Sequence, residues 1–139
     1  MTADPKVDLL RSVPLFASCS RRELDRIAAL TDEIDLPAGR TFIREGTTAH
    51  EFFIIIDGEV KVEHQGQLLR TMGPGDFLGE IALIDGRPRT ATATAARASR
   101  LLVVGHREFR SLMASNPTIQ VDILQALAAR VRNLQPEAE

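Results

Sequence analysis

The sequence predicts a mainly β domain, a barrel or jelly roll, with helices before and after the strands. Short runs of β-branched and aromatic residues fill the middle of the chain, and glycine or proline stands at nearly every junction between them. Helical periodicity marks both ends. Several short strands separated by regular turns are typical of closed or double-layered β architectures. We therefore expect one block of strands between two helical ends.

The length of the chain suits a single domain with one hydrophobic core. We expect this domain to cover residues 1–139. It should have three parts: an N-terminal helical part, 1–31, a β-barrel, 32–105, and two C-terminal helices, 106–135. No internal repeat interrupts this order.

The N-terminal part carries a clear helix start. Ser20 is followed three residues later by Glu23, which is the spacing of a capping box. The apolar residues Leu24 and Ile27 follow at helical spacing, so a helix should begin after Ser20. A shorter helix is expected over residues 7–11.

The strand region consists of seven short runs. They read EIDL, TFIRE, FFIIID, EVKVEH, LLRTM, TATATA and RLLVVG in chain order. In EVKVEH the alternation places Val60 and Val62 on one face and Lys61 on the other, as expected for a strand with one face toward a barrel interior.

Helical periodicity returns after Gly105. Phe109 and Leu112 share one face of a first predicted helix. The pair Asn116-Pro117 then opens a second helix, because proline suits the first turn of a helix. The sequence therefore predicts two consecutive C-terminal helices.

Charge and cysteine content exclude several kinds of site. The net charge of −2 argues against a surface devoted to the phosphates of long nucleic acids. Cys19 is the only cysteine, so no internal disulfide and no cysteine-rich metal site can form. We expect Cys19 to act as a small apolar residue.

Hydropathy argues against a membrane protein. The longest apolar runs have about five residues, far below the roughly 20 that cross a bilayer. Asp4, Lys6 and Asp8 occupy the region where a secretory signal would place basic residues and then a long apolar core. We therefore expect a cytoplasmic protein without a membrane segment.

The segment GEIALIDGRPRTAT, residues 79–92, breaks the strand pattern. Between Gly79 and Gly86 there is room for about one and a half helical turns. The unpaired backbone N–H groups at the start of such a helix attract phosphate. Gly79 would let a ligand approach the main chain, or would simply be a bulge residue.

Arg89 is a charged side chain on an otherwise small face. In the extended run after Pro88, Arg89, Ala91 and Ala93 face one way and Thr90 the other. If the arginine faces inward, a phosphate would meet it in a charge-assisted, bidentate pair. Arg87, in the preceding turn, is expected to be solvated.

Glu80 stands at the mouth of the same short helix. Its carboxylate accepts hydrogen bonds only, so it suits a sugar hydroxyl. A phosphate on Arg89 and a ribose on Glu80 together describe a nucleotide. The alternative is a structural salt bridge between Glu80 and Arg89.

These residues resemble a known family. The segment GDFLGEIALIDGRPRTATATA, with FFIIIDGEVKV upstream and the terminal helices, closely resembles the cyclic nucleotide-binding domain of catabolite-activator-type regulators, cyclic-nucleotide-dependent kinases and cyclic-nucleotide-gated channels. The resemblance implies a jelly-roll barrel, also called a double-stranded β-helix, in which residues 79–92 form the phosphate-binding cassette with its short helix. It also implies a regulatory domain that binds a cyclic nucleotide and is not an enzyme, with no cofactor or metal.

The resemblance assigns roles within the cassette. Arg89 would clamp the exocyclic oxygens of the cyclic phosphate, assisted by the backbone N–H groups of Ala82 and Thr90. Glu80 and the backbone at Gly79 would hold the ribose 2′-hydroxyl.

The resemblance also assigns roles to residues that would not contact the phosphate. Val62 and Leu69 would sit near the base, and Ile81 would pack between the cassette and a lid. In the family the last helix closes over the base, so the candidate lid residues are Arg132, Asn133 and Leu134.

Thr90 bears on which nucleotide is bound. In the family, threonine just after the cassette arginine often accompanies cyclic GMP and alanine accompanies cyclic AMP, although many bacterial members with serine or threonine prefer cyclic AMP. We favour cAMP, with cGMP as the competitor. Because no DNA-binding, kinase or transmembrane segment follows the lid helix, we expect an unidentified protein partner or fused effector and no nucleic acid binding by this chain alone.

Two other functions compete with a sensor. A jelly roll can house a metal-dependent enzyme, but His50, His64 and His106 fall singly on different predicted elements, not as the cluster that such a site needs. A domain that keeps the fold only for protein contacts, with Glu80 locked to Arg89, is the other alternative.

Overall fold

The structure, a computed structural model, describes residues 5–79 and 86–134. Its N-terminal part is helical. Helix α1, Pro5–Arg11, leads through a 3-10 helix at Pro14–Phe16 into helix α2, Arg21–Ala29. The predicted short helix is therefore present and begins slightly earlier than expected.

Helix α2 begins with the predicted capping box. The Ser20 hydroxyl accepts a hydrogen bond from the Glu23 backbone N–H at 3.1 Å, and the Glu23 carboxylate accepts one from the Ser20 N–H at 2.8 Å. Two helix donors that the helix itself leaves unpaired are thus satisfied by two side chains. The sequence prediction of this start is confirmed.

The described residues contain eight strands in two antiparallel sheets. In chain order they are β1 Thr31–Leu36, β2 Thr41–Ile43, β3 Glu51–Asp57, β4 Val60–His64, β5 Gln67–Met72, β6 Phe77–Leu78, β7 Thr92–Ala95 and β8 Ser99–Gly105. One sheet has the order β1-β8-β3-β6 and the other β2-β7-β4-β5. Together with the flanking helices this is the predicted mainly β jelly roll.

Each of the seven predicted runs overlaps a strand, and the sequence missed one. Strand β6 has only two residues, Phe77–Leu78, which is too short for an alternating pattern to be visible. The TFIRE run stops being a strand after Ile43, and the TATATA run becomes one only at Thr92.

Strand β3 explains why five apolar residues stand in a row. Phe52 and Ile54 belong to a core between the sheet and the helices, whereas Phe53 and Ile55 belong to a second core inside the barrel. Side chains alternate between the two faces of a strand, so a strand buried on both faces reads as a continuous apolar run. β3 therefore separates the helical layer from the barrel interior.

Two C-terminal helices follow β8 as predicted. Helix α3, His106–Ser115, is followed by helix α4, Pro117–Leu134. Phe109 of α3 packs against Phe52 of β3, with ring centroids 5.1 Å apart. On α4, Ile119 and Ile123 are buried, and the outer face exposes Val121, Leu124 and Val131. In the described ranges, every helix falls short of the length and apolar character that crossing a membrane requires.

Cys19 lies in the core between the helices and the barrel. It is buried, and it precedes helix α2. Burial raises the pKa of its thiol to about 11, and the carboxylates of Glu23 and Asp122 act in the same direction. Since Asp122 belongs to α4, the thiol is close enough to the last helix for the Asp122 carboxylate to contribute to this pKa shift.

The turn between β3 and β4 depends on Gly58. Its φ of 125° lies in a region that other residues rarely adopt. A Cβ there would overlap the buried side chain of Ser99 and lie 2.7 Å from the Ser99 Cα. Ser99 in turn accepts a hydrogen bond from the Glu59 N–H at 3.2 Å.

We expect Gly58→Ala to lower the free energy of unfolding by about 2 to 5 kcal/mol, because backbone strain adds to overpacking against Ser99. Gly39→Ala is the matched control. Gly39 also has a positive φ, 87°, but a Cβ there would meet nothing within 4 Å. It should cost only about 1 to 2 kcal/mol. Urea denaturation measures both, and equal losses would contradict the role of Ser99.

Candidate functional site

The candidate site is built around a buried arginine. Only 7% of Arg89 is exposed, and it lies at the entry to β7, in line with the buried residues Ala93 and Ala95. Thr90 is exposed and Ala93 is buried, as the predicted alternation requires, whereas Ala91 and Thr92 are both half-buried, because the regular strand begins only at Thr92. Arg87, two residues earlier, is exposed as predicted.

The Arg89 side chain is held by two main-chain carbonyls. Its Nη1 donates to the Gly79 carbonyl oxygen at 2.8 Å, and its Nη2 donates to the Glu51 carbonyl oxygen at 2.6 Å. Glu51 is the first residue of β3, and Gly79 follows β6. The guanidinium therefore links the cassette to the sheet that faces the helices.

Gly79 packs closely against the arginine. Its φ is 94°, and a Cβ there would lie 2.7 Å from Arg89 Nη1 and 3.1 Å from the Glu51 carbonyl oxygen. From the sequence we expected this glycine to allow close approach of a ligand or to be a bulge. The structure gives a further reason, which is that the guanidinium packs directly against the glycine backbone.

The main chain of Arg89 is also fixed. The Arg89 N–H donates to the Thr47 carbonyl at 2.9 Å, and the Arg89 carbonyl accepts from the Gly46 N–H at 2.8 Å. The N–H and the carbonyl of Arg89 are thus both hydrogen-bonded to the loop after β2. Side chain and backbone together leave Arg89 in one orientation.

The two residues expected near the base differ in exposure. Val62 is buried inside the barrel and pairs with Ala93 of β7. Leu69 on β5 is 53% exposed, beside an irregularity in the β4–β5 pairing. Val62 thus sits on the strand next to β7, which Arg89 precedes, whereas Leu69 presents an apolar side chain to solvent.

Several predicted site residues fall outside the described residues. Glu80, Ile81 and Ala82 are among them, and so is the short cassette helix. Gly86, at the end of that segment, is described and has a φ of 71°. Of the predicted lid residues, Arg132 is exposed on α4, whereas the structure describes only the helical backbone of Asn133 and Leu134.

Sequence reasoning missed three residues around the arginine. Glu51 contributes its backbone carbonyl, which no residue type signals. Glu45 and His64 contact each other at 3.1 Å on the barrel surface, and His64 also contacts the Thr90 carbonyl at 3.0 Å. From the sequence, His64 is considered only as a metal ligand. Within residues 5–79 and 86–134, no group of three or more His, Cys, Asp or Glu side chains is placed to hold a metal ion.

Comparison with known proteins gives the family. A family profile described as "Cyclic nucleotide-binding domain" matches residues 33–116. A "CRP-like cAMP-activated global transcriptional regulator" of Mycobacterium tuberculosis is 36% identical over an alignment of 118 residues that covers 79% of this chain and 53% of that protein.

Two solved structures are similar over nearly the whole chain. A cAMP-bound PKA regulatory protein, PfPKA-R, has a TM-score of 0.82 and 26% identity, covering 95% of this chain and 45% of that one. The Thermus thermophilus catabolite activator protein has a TM-score of 0.80 and 25% identity, covering 90% and 61%. This chain therefore spans about half the length of the proteins it matches. Since the profile covers most of the barrel and the identities extend beyond it, the chain belongs to the cyclic nucleotide-binding domain family.

Proposed function

We propose that this chain is a cAMP-binding sensor domain that changes the packing of its C-terminal helices when the nucleotide binds. The observation that carries the proposal is the buried guanidinium of Arg89, oriented by the carbonyls of Gly79 and Glu51 at 2.8 and 2.6 Å. The family resemblance gives this arginine the cyclic phosphate as its partner. Glu80 and Gly79 then hold the ribose, and Val62 and Leu69 lie toward the base.

The electrostatics of the site favour an anion. The carbonyl dipoles of Gly79 and Glu51 orient the Arg89 guanidinium. A phosphate adds a charge-assisted pair in a place largely closed to water, where such a pair is stronger than at an exposed surface. Because the arginine is already held in one orientation, little side-chain entropy is lost when the nucleotide binds.

The identity of the nucleotide rests on the relatives. The names of the Mycobacterium tuberculosis regulator and of the PKA structure both mention cAMP. This supports cAMP as the ligand here. Thr90 follows Arg89 directly and is exposed, and threonine at this position accompanies cyclic GMP in many family members, so cGMP is the competitor to test.

A physical connection links the arginine to the C-terminal helices. Arg89 binds the carbonyl of Glu51, and Glu51 pairs with Gly105, the residue that caps the start of α3. The next residue on β3, Phe52, packs against Phe109 of α3. A ligand that moves Arg89 would therefore also move Glu51 and, through the pairing of Glu51 with Gly105, the end of β8 from which α3 begins. We propose that the new arrangement of α3 and α4 is read by a protein partner or a fused effector.

Arg89→Gln should weaken cAMP binding by about 2 to 4 kcal/mol, or roughly 30- to 1000-fold, because it leaves the phosphate without its charged partner. Arg87→Gln, which removes an exposed arginine two residues away, is the control and should change affinity little. Calorimetry with cAMP and cGMP measures both variants, with 5′-AMP as the nucleotide that lacks the cyclic ester. A loss below tenfold in folded Arg89→Gln would contradict the phosphate role, and a wild-type protein that binds neither cyclic nucleotide would point to the scaffold alternative.

Gly79→Ala should weaken cAMP binding roughly 5- to 150-fold, since the new methyl group displaces Arg89 Nη1 at a cost of about 1 to 3 kcal/mol. Gly86→Ala is the matched control. Gly86 also has a positive φ, 71°, but a Cβ there meets nothing within 4 Å. The same titration compares the two variants, and equal affinities would show that packing against Arg89 is unimportant.

The helix rearrangement is tested by amide hydrogen exchange of residues 106–134. We expect saturating cAMP to change protection in α3 and α4, and 5′-AMP at the same concentration to leave it unchanged. Identical exchange with and without bound cAMP would refute the coupling to the helices while leaving nucleotide binding intact.

A further inference from the structure

A polar cluster on the barrel surface contacts the residue after Arg89. His64, the last residue of β4, places its Nδ1 3.0 Å from the Thr90 carbonyl oxygen and 3.1 Å from Glu45 Oε2. The Thr90 carbonyl can only accept, so Nδ1 carries the hydrogen and donates to it, with the Glu45 carboxylate close by.

Glu45 extends the cluster to two further elements. Its carboxylate accepts from the Gln65 N–H at 3.0 and 3.3 Å and from the Thr92 hydroxyl at 3.3 Å. Its own N–H donates to the Thr92 hydroxyl at 3.1 Å. One side chain thus joins the loop after β2, the turn between β4 and β5, and the first residue of β7.

The turn that receives Glu45 is itself unusual. Gln65 has a φ of 51°, and among the described residues it is the only one other than glycine with a positive φ. Non-glycine residues adopt this conformation at some cost and keep it where the surroundings hold them. The Glu45 carboxylate on the Gln65 N–H is such a restraint, so the turn that carries His64 is held in place.

The contact between His64 and Glu45 itself contributes little to stability. The His64 and Glu45 side chains are 50% and 32% exposed, and exposed pairs of this kind are weak. Their contacts with the segment are of more consequence, because His64 meets the Thr90 carbonyl and Glu45 meets the Thr92 hydroxyl. The loop residues Gly46 and Thr47 already pair with the Arg89 backbone.

We infer that Glu45 and His64 form a brace that positions Arg89 and Thr90 for nucleotide binding. The inference rests on the proposed function. The brace acts through the main chain of the segment, so Glu45 and His64 are positioning residues with no required contact to the nucleotide. Its essential feature is the donor at His64 that meets the Thr90 carbonyl.

Two variants at His64 test the brace. Asparagine can place its amide nitrogen where Nδ1 lies and keeps the donor, whereas leucine has a similar shape and no donor. We expect His64→Leu to weaken cAMP binding roughly three- to tenfold, because the segment must then be ordered during binding, and His64→Asn to bind like the wild type. Both variants should unfold at nearly the wild-type urea midpoint.

Amide exchange of residues 86–95 without ligand gives a second readout. It should be faster in His64→Leu than in the wild type and unchanged in His64→Asn. Wild-type affinity in both variants, or an equal loss in both, would overturn the brace. If the wild type binds neither cAMP nor cGMP, the proposed function is wrong, whatever the variants do. The brace is then judged by ligand-free amide exchange alone, and unchanged exchange in His64→Leu would overturn it.

Discussion

The hydrogen bonds from the Arg89 guanidinium to two main-chain carbonyls constrain much of the structure around them. A buried positive charge needs acceptors on every side that faces the protein, and backbone oxygens can supply them only if the chain is shaped to point them inward. The Glu51 carbonyl does so at the start of β3, and the Gly79 carbonyl does so through a backbone conformation that suits glycine. The position of one side chain thus determines the course of two segments distant in sequence.

Strand β3 connects this charged site with both hydrophobic cores. Its first residue accepts from Arg89, and the residues that follow alternate between the barrel interior and the layer beneath the helices. Displacing the strand would disturb both cores at once, and closely packed interiors resist such disturbance. A small movement at the arginine is therefore more easily passed to the helices at the end of the strand than absorbed within the barrel.

The parts of the site that depend on side-chain type could be predicted from the sequence. The inward face of Arg89 and Ala93 followed from alternation, and the start of α2 followed from Ser20 and Glu23. The carbonyl of Glu51 could not be found, because every residue has one and only the fold decides where it points. The contact between Glu45 and His64 joins residues far apart in the chain, and neither lies in a local pattern that indicates the other. The exposure of Leu69 likewise depends on an irregular strand pairing.

Cys19 gives this architecture a chemical reporter. It is the only thiol in the chain, and thiols react with alkylating reagents as thiolates. With a pKa raised to about 11 by burial, it supplies almost no thiolate at neutral pH while the helices cover it. Asp122 of α4 is near enough to contribute to that shift. The rate at which this single sulfur is labelled therefore reports how often the packing around Cys19 opens, without any residue having to be introduced.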